Sequence, residues 1–337
     1  PVLIYKLQHN LNHTQNALAD YLNSDGDTAP MEELQRRKLP RALKQSMEGL
    51  LTIEELTEAV MVSMNGNSSQ GCDGFTVNHL REFWYDLCHI TQGALNASFG
   101  NELTSSLRLA IIKLLRKGQK DPTLPGNYRP ISLLSIFYKL ASACITNRMK
   151  PAVHHIIGKE QKAYTPEKNI GSCIMNIINL MDRTITKKEA GLILLIDFKK
   201  AFDSISHKFI YDTLASLNFG KDLISWVRTF LLNRTAQILV GGNITDAILL
   251  EQGVPQGDII SPQLFILMVE ILLIKITRSK NISGIIYALS EAKAEAFADD
   301  TTLFMTRSPE NLRAATKYIQ DFHTISGLAC NLEKTHV

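Results

Sequence analysis

Ala294-Glu295-Ala296-Phe297-Ala298-Asp299-Asp300-Thr301-Thr302-Leu303-Phe304-Met305-Thr306 reads as two short strands around an acidic pair. Ala296/Ala298 and Leu303/Met305 fall on one face at period two, and Asp-Asp suits a tight turn, so a hairpin with both carboxylates at its turn is expected. A solvated turn would give the same pair, and for an isolated Asp-Asp that is the better reading. A second stretch changes the balance: Leu192 to Ile196 is a run of five apolar residues that delivers Asp197 to a strand end. A run this apolar reads as core on both faces. Neighbouring carboxylates repel, so holding them ionised on a rigid sheet calls for a cation, and magnesium prefers oxygen ligands.

The chain has 337 residues, 45% of them hydrophobic, enough for a large core and more than one subdomain. A formal net charge of +3 gives little overall pull on a polyanion. Basic character is local, at Arg36-Arg37-Lys38, Arg41/Lys44 and Arg116-Lys117/Lys120, and each cluster reads equally as a solvated face. The five cysteines have no C-x-x-C spacing, which argues against a zinc knuckle or disulfide framework and for a reducing compartment. No signal peptide is visible, and Pro1 in place of an initiator Met points to an excerpt. Leu264 to Ile274 is very apolar but short and carries Glu270, so a buried helix is expected rather than a membrane span.

In order, Tyr5 to about Leu50 is polar and helical, with breaks at Pro30 and Pro40. Thr52 and Glu55 form a capping box, and Asn65 to Gly74 is a glycine-rich loop. Strands are expected at Leu109 to Leu115 and near Asn127 to Leu134, with a basic loop between them. Helices are expected over Phe137–Met149, ended near Pro151, over Ile170–Ile185, from a Ser206 cap to Leu217 with Gly220 as its stop, and over Asp222–Leu232. A hairpin about Gly241-Gly242 leads to Gln252 through Pro262, where Ser261 caps the next helix and Pro262 takes its first turn. A last helix starts at Ser308-Pro309 and is stopped by Gly327, and Leu328 begins a strand carrying Lys334.

In this order the motifs resemble the reverse transcriptase domain of non-LTR (LINE-type) retrotransposons. Asn127-Tyr128-Arg129-Pro130-Ile131-Ser132 is similar to its fingers motif, and Asp197-Phe198-Lys199-Lys200-Ala201-Phe202-Asp203 to its first palm motif. Gly253-Val254-Pro255-Gln256-Gly257-Asp258 with Ser261-Pro262 resembles the second, and Phe297-Ala298-Asp299-Asp300 completes the set. Gly71-Cys72-Asp73-Gly74-Phe75 resembles the family's glycine loop, with Cys72 where a Pro is usual.

The resemblance implies an α+β, right-hand polymerase fold with fingers and palm, an antiparallel palm sheet backed by helices, and the thumb missing from this sequence. It divides the chain into an N-terminal linker or accessory arm (1–50), fingers and adjoining helices (51–190), and palm with finger elements (191–337). It implies RNA-directed DNA polymerase activity with Asp197, Asp299 and Asp300 holding two Mg2+ ions, for which Mn2+ may substitute. Arg129 would engage the incoming triphosphate, and Gln256 and Gly257 would lie beside the nascent base pair. Phe202 would be a steric gate against a ribose 2′-hydroxyl, and Lys334 would act on the leaving pyrophosphate. Asp203 is read as structural. The implied partners are an RNA template, a DNA primer or target and dNTPs, with no membrane and no obligate protein partner. The implied location is intracellular, in the nucleus or cytoplasm.

Three rival readings share parts of this pattern. A catalytically inactive remnant would only bind nucleic acid, but Asp197, Asp299 and Asp300 are all present. A group II intron-type reverse transcriptase shares the Pro-Gln-Gly and Asp-Asp motifs. A metal-dependent nuclease leaves Pro255-Gln256-Gly257 and Phe202 unexplained.

Overall fold

Apolar runs too short for helices should form strands, and the computed structural model, describing residues 17–165, 168–287, 290–331 and 334–335, has them where the runs lie. In chain order the strands are β1 (Leu109–Arg116), β2 (Tyr128–Leu134), β3 (Gly191–Ile196), β4 (Arg234–Val240), β5 (Asn243–Ile244), β6 (Ile248–Leu250), β7 (Ile285–Tyr287), β8 (Ser290–Ala292), β9 (Ala294–Phe297) and β10 (Asp300–Thr306). The chain forms two compact units that alternate along the sequence. The first takes the described parts of 1–40, 151–219 and 262–337, and the second takes 41–150 and 220–261.

In the first unit β10 runs between β3 and β9, antiparallel to both. Its central place explains why Thr301 through Met305 are buried without alternation. Phe297 pairs with Asp300, so the two-residue turn is Ala298-Asp299 and Asp300 opens the strand. The expectation that both carboxylates sit in the turn is corrected by one residue. The turn takes its left-handed position at Ala298, whose φ is +57°. The expectation that β3 is core on both faces is also corrected: Leu194 and Ile196 are buried, but Leu195 is 44% exposed. The strand lies at the edge of its sheet and alternates.

The helix Ile170–Lys187 backs this sheet, with Leu180, Ile285 and Phe304 packed together and Ile177 and Ile193 against them. The helix Ser261–Arg278 is the buried helix anticipated around Glu270. Its Lys275 is fully buried, the ammonium donating to the carbonyl oxygens of Leu22 and Ser24 and lying 4.6 Å from the Tyr318 ring. Arg37, after the helix Ala29–Arg36, pairs with Glu33 and Glu270. These contacts fasten the stretch before Pro40 into the first unit. Among the described residues no helix is long and apolar enough to cross a membrane.

The second unit holds the sheet β2-β1-β4-β5, with β6 also on β4. The β1–β2 hairpin around the basic loop is as expected, whereas the parallel pairing of β1 with β4 was not legible from either strand alone. The Thr52–Glu55 capping box is present. The helix expected to end near Pro151 runs from Ile136 to Ile156. Ala152, Val153 and Ile156 continue its buried face, and that packing outweighs the ~3 kcal/mol a proline costs inside a helix. Two further boundaries differ. The helix His207–Ser216 is closed by Asn218 at φ +66°, while Gly220 precedes the next helix, Lys221–Leu231. Ser261 is the first helical residue rather than a side-chain cap, and its hydroxyl is buried with no partner among the described residues.

Candidate active site

The register of β3 with β10 ends at Ile196 opposite Thr301. One step further, Asp197 leaves β3 and Asp300 opens β10, so two carboxylates stand at facing strand ends with Asp299 in the adjoining turn. Asp197 is half-buried and held from one side. Asn331 Nδ2 donates to its Oδ2 at 2.9 Å, and the Asn331 backbone N–H donates to its carbonyl oxygen at 2.7 Å. The Lys199 N–H donates to the Ala329 oxygen, and Phe198 and Cys330 form an antiparallel bridge.

The strand expected from Leu328 is therefore this short contact, and Lys334 lies in the following turn. Ahead of the bridge, Gly327, at φ +81°, closes the helix Pro309–Ser326. A side chain there would strike the Ser204 carbonyl oxygen. Lys334 Nζ is 3.5 Å from Asp197 Oδ2, with its side chain 60% exposed. Residues 332–333 and 336–337 of the strand expected from Leu328 lie outside the described residues.

Partial burial first, then Asp299, then Asp197, push the Asp300 carboxyl up, while Lys334 pulls it back. Three acids with oxygen donors and one nearby ammonium are a donor set whose chemistry fits a hard divalent cation. Among the described residues no three His, Cys, Asp or Glu side chains are gathered closely enough to hold an ion. The convergence expected from sequence is thus one of neighbouring strand ends rather than a closed cage. Mutual repulsion works against closure.

Phe202 belongs to the same unit, in the short helix Ala201–Ser204 with Asp203. It is half-buried and stacks on Phe265, with ring centroids 4.7 Å apart and planes at 19°. One face of the ring is thus taken up by packing.

Arg129, Gln256 and Gly257 lie in the second unit. Arg129 is exposed on β2, and its guanidinium has no hydrogen bond or ion pair among the described residues. The Gln256 carbonyl oxygen accepts from the Ser132 N–H at 2.8 Å. Gly257 has φ +112°, and a Cβ there would lie 3.0 Å from the Ser132 oxygen, so only glycine lets the loop rest on β2 without strain.

Asp258 fastens the same loop from below. It accepts from Tyr138 Oη at 2.8 Å, Ser142 Oγ at 2.5 Å and the Ile259 N–H at 2.7 Å. Arg234 lies over the Tyr138 ring, 5.2 Å from its centroid, with its three guanidinium nitrogens unpartnered among the described residues. Tyr138, Ser142 and Arg234 were not singled out from sequence. They lie on a helix and a strand whose periodicity reports burial alone.

Residues 115–337, about two thirds of the chain, match the family described as reverse transcriptase (RNA-dependent DNA polymerase). The chain is similar to the uncharacterized 149 kDa protein of transposon TX1 from Xenopus laevis, 29% identical over 77% of this chain and 20% of that protein. It is 28% identical to the retrovirus-related Pol polyprotein from type-2 retrotransposable element R2DM of Drosophila melanogaster, over 83% of this chain and 26% of that protein. It is also 28% identical to the RNA-directed DNA polymerase from mobile element jockey of Drosophila melanogaster, over 46% of this chain and 17% of that protein. The match thus spans about a quarter or less of these curated relatives. With the acids at facing strand ends, the Gln256–Gly257 loop and the family match in agreement, the chain belongs to the reverse transcriptase family, in its non-LTR retrotransposon branch.

Proposed function

We propose that this chain is the catalytic core of an RNA-directed DNA polymerase that extends a primer 3′-hydroxyl with dNTPs on an RNA template. The observation that carries the proposal is the placement of Asp197 and Asp300 at the facing ends of β3 and β10, with Asp299 in the turn. In this reading the first unit is the palm and the second carries the fingers of a right-hand polymerase.

Asp197, Asp299 and Asp300 would hold two Mg2+ ions. Bound there, the ions would lower the pKa of the attacking hydroxyl and offset charge on the triphosphate. The chain's own side chains do the rest. Asn331 fixes the Asp197 carboxylate. Arg129, exposed and without a partner among the described residues, offers a planar fork to the triphosphate. Gln256, on a loop fastened by Gly257 and Asp258, offers an amide beside the new base pair. Phe202, braced by Phe265, narrows the space beside the sugar. As the 3′-oxygen bonds to the α-phosphorus and pyrophosphate leaves, Lys334 can pass from Asp197 to the departing anion. The likeness to the RNA-directed DNA polymerase from mobile element jockey supports this reading, as does the all-oxygen donor set.

The test is RNA-templated primer extension by the protein with Mg2+ and with Mn2+. Extension that needs the divalent ion is expected. Normal primer–template affinity without extension would favour the inactive-remnant reading.

A further inference from the structure

The Ala298-Asp299 turn has an unusual support. A two-residue hairpin loop leaves the backbone groups of its first residue outside the strand ladder, and Ala298 is buried, at 6% exposure. Buried backbone groups need partners. Both come from one side chain. The Ala298 N–H donates to Gln161 Oε1 at 3.0 Å, and Gln161 Nε2 donates to the Ala298 oxygen at 3.4 Å. Gln161 is itself fully buried, and its Oε1 also accepts from the Ala163 N–H at 3.0 Å.

The backbone on either side is fastened as well. The Ala296 N–H donates to the Glu160 oxygen, and the Lys162 N–H donates to the Ala296 oxygen. Tyr164, three residues on, is in the left-handed region at φ +53°, and its hydroxyl is pushed up by burial first and then by the Asp299 charge. The segment therefore runs directly beside Asp299.

A primary amide is the one side-chain group that presents an acceptor and a donor side by side. That pair matches the two backbone groups of Ala298 left outside the ladder, in a residue whose left-handed conformation is disfavoured for any side chain bearing a Cβ. We infer that Gln161 is a positioning residue that locks the strained Ala298 turn and thereby sets where Asp299 points.

This inference rests on the polymerase reading for its activity arm only. Gln161→Met keeps the volume and removes both hydrogen bonds. Hydrogen exchange of the Ala298 amide, measured on metal-free protein, is expected to quicken about tenfold. The interior amides of β10 should keep their wild-type rates. In primer extension the Mg2+ concentration for half-maximal rate is expected to rise about tenfold or more, as for other residues that orient metal-binding groups. Adding Ala298→Gly, which removes the left-handed penalty, should recover most of that loss.

Should Gln161→Met not fold, Gln161→Glu takes its place. Ionised, at a pH above its raised carboxyl pKa, it keeps the acceptor and loses the donor, so Ala298 amide protection should stay while the Mg2+ requirement rises. Wild-type exchange and Mg2+ requirement in the substituted protein would overturn the inference, as would exchange quickened equally throughout β10. A wild type that extends no primer would sink the polymerase reading and leave the exchange arm standing.

Discussion

Asp258 in the second unit and Asp300 in the first both have carboxyls pushed up from the ordinary range, and in both burial is the largest cause. Their surroundings are opposite. Asp258 is 4% exposed and meets Tyr138, Ser142 and the Ile259 N–H, all donors. Asp300 is exposed, and the groups that push it further are Asp299 and Asp197. One acid is consumed by the fold, whereas the others are crowded together and left open. A buried acid with both oxygens hydrogen-bonded holds a loop, and acids facing one another at strand ends are set for a cation.

The largest effect that would break this contrast concerns catalysis. Asp299→Asn or Asp197→Asn should lower primer extension by about 10³-fold, the equivalent of several kcal/mol of lost metal assistance, without lowering the melting temperature. A matching fall in stability would put these acids in the same class as Asp258. Asp258→Ala should do the reverse. Leaving Tyr138 and Ser142 without their charged acceptor should destabilise the protein by about 3 kcal/mol, read by chemical denaturation.

Next comes Phe202→Val. If the ring limits the sugar pocket, discrimination against ribonucleotides should fall by about 10²-fold while the protein stays folded. Unchanged discrimination, with a loss of stability from the missing Phe265 stack, would make it a packing residue. The smallest effect is a control away from both regions. Burial first pushes the Glu270 carboxyl up to about 7 from 4.5, against the pull of Arg37. A carboxyl raised in the folded state favours folding while protonated, so stability should decline as pH rises from about 4.5 to about 7. Glu270→Gln should flatten that slope in pH-dependent melting.

The strands at Leu109, Asn127, Leu192 and Ala294 were legible because period, apolar runs and turn residues are local properties. So were the caps at Thr52, Ser206 and Ser308, each of which accepts from a backbone N–H within its own helix. What the sequence could not show was pairing across distance. The parallel contact of β1 with β4 and the grip of Asn331 on Asp197 join segments with no mutual pattern. Gln161 was the hardest to see, since it lies in a non-periodic loop and its partner is a backbone 137 residues away. The one-residue error at the hairpin turn has a similar source. Asp is the commoner turn former, but the register with β9 put Asp300 in the strand and left the left-handed position to Ala298.

The central claim is that the acids at the ends of β3 and β10 form the cation site and Asp258 does not. Manganese binding to the protein with primer–template and dNTP, followed by calorimetry or by electron paramagnetic resonance, tests it without relying on turnover. Binding should be lost or severely weakened in Asp299→Asn and preserved in Asp258→Asn. Equal binding by wild type and Asp299→Asn, or loss of binding in a folded Asp258→Asn, would contradict the account.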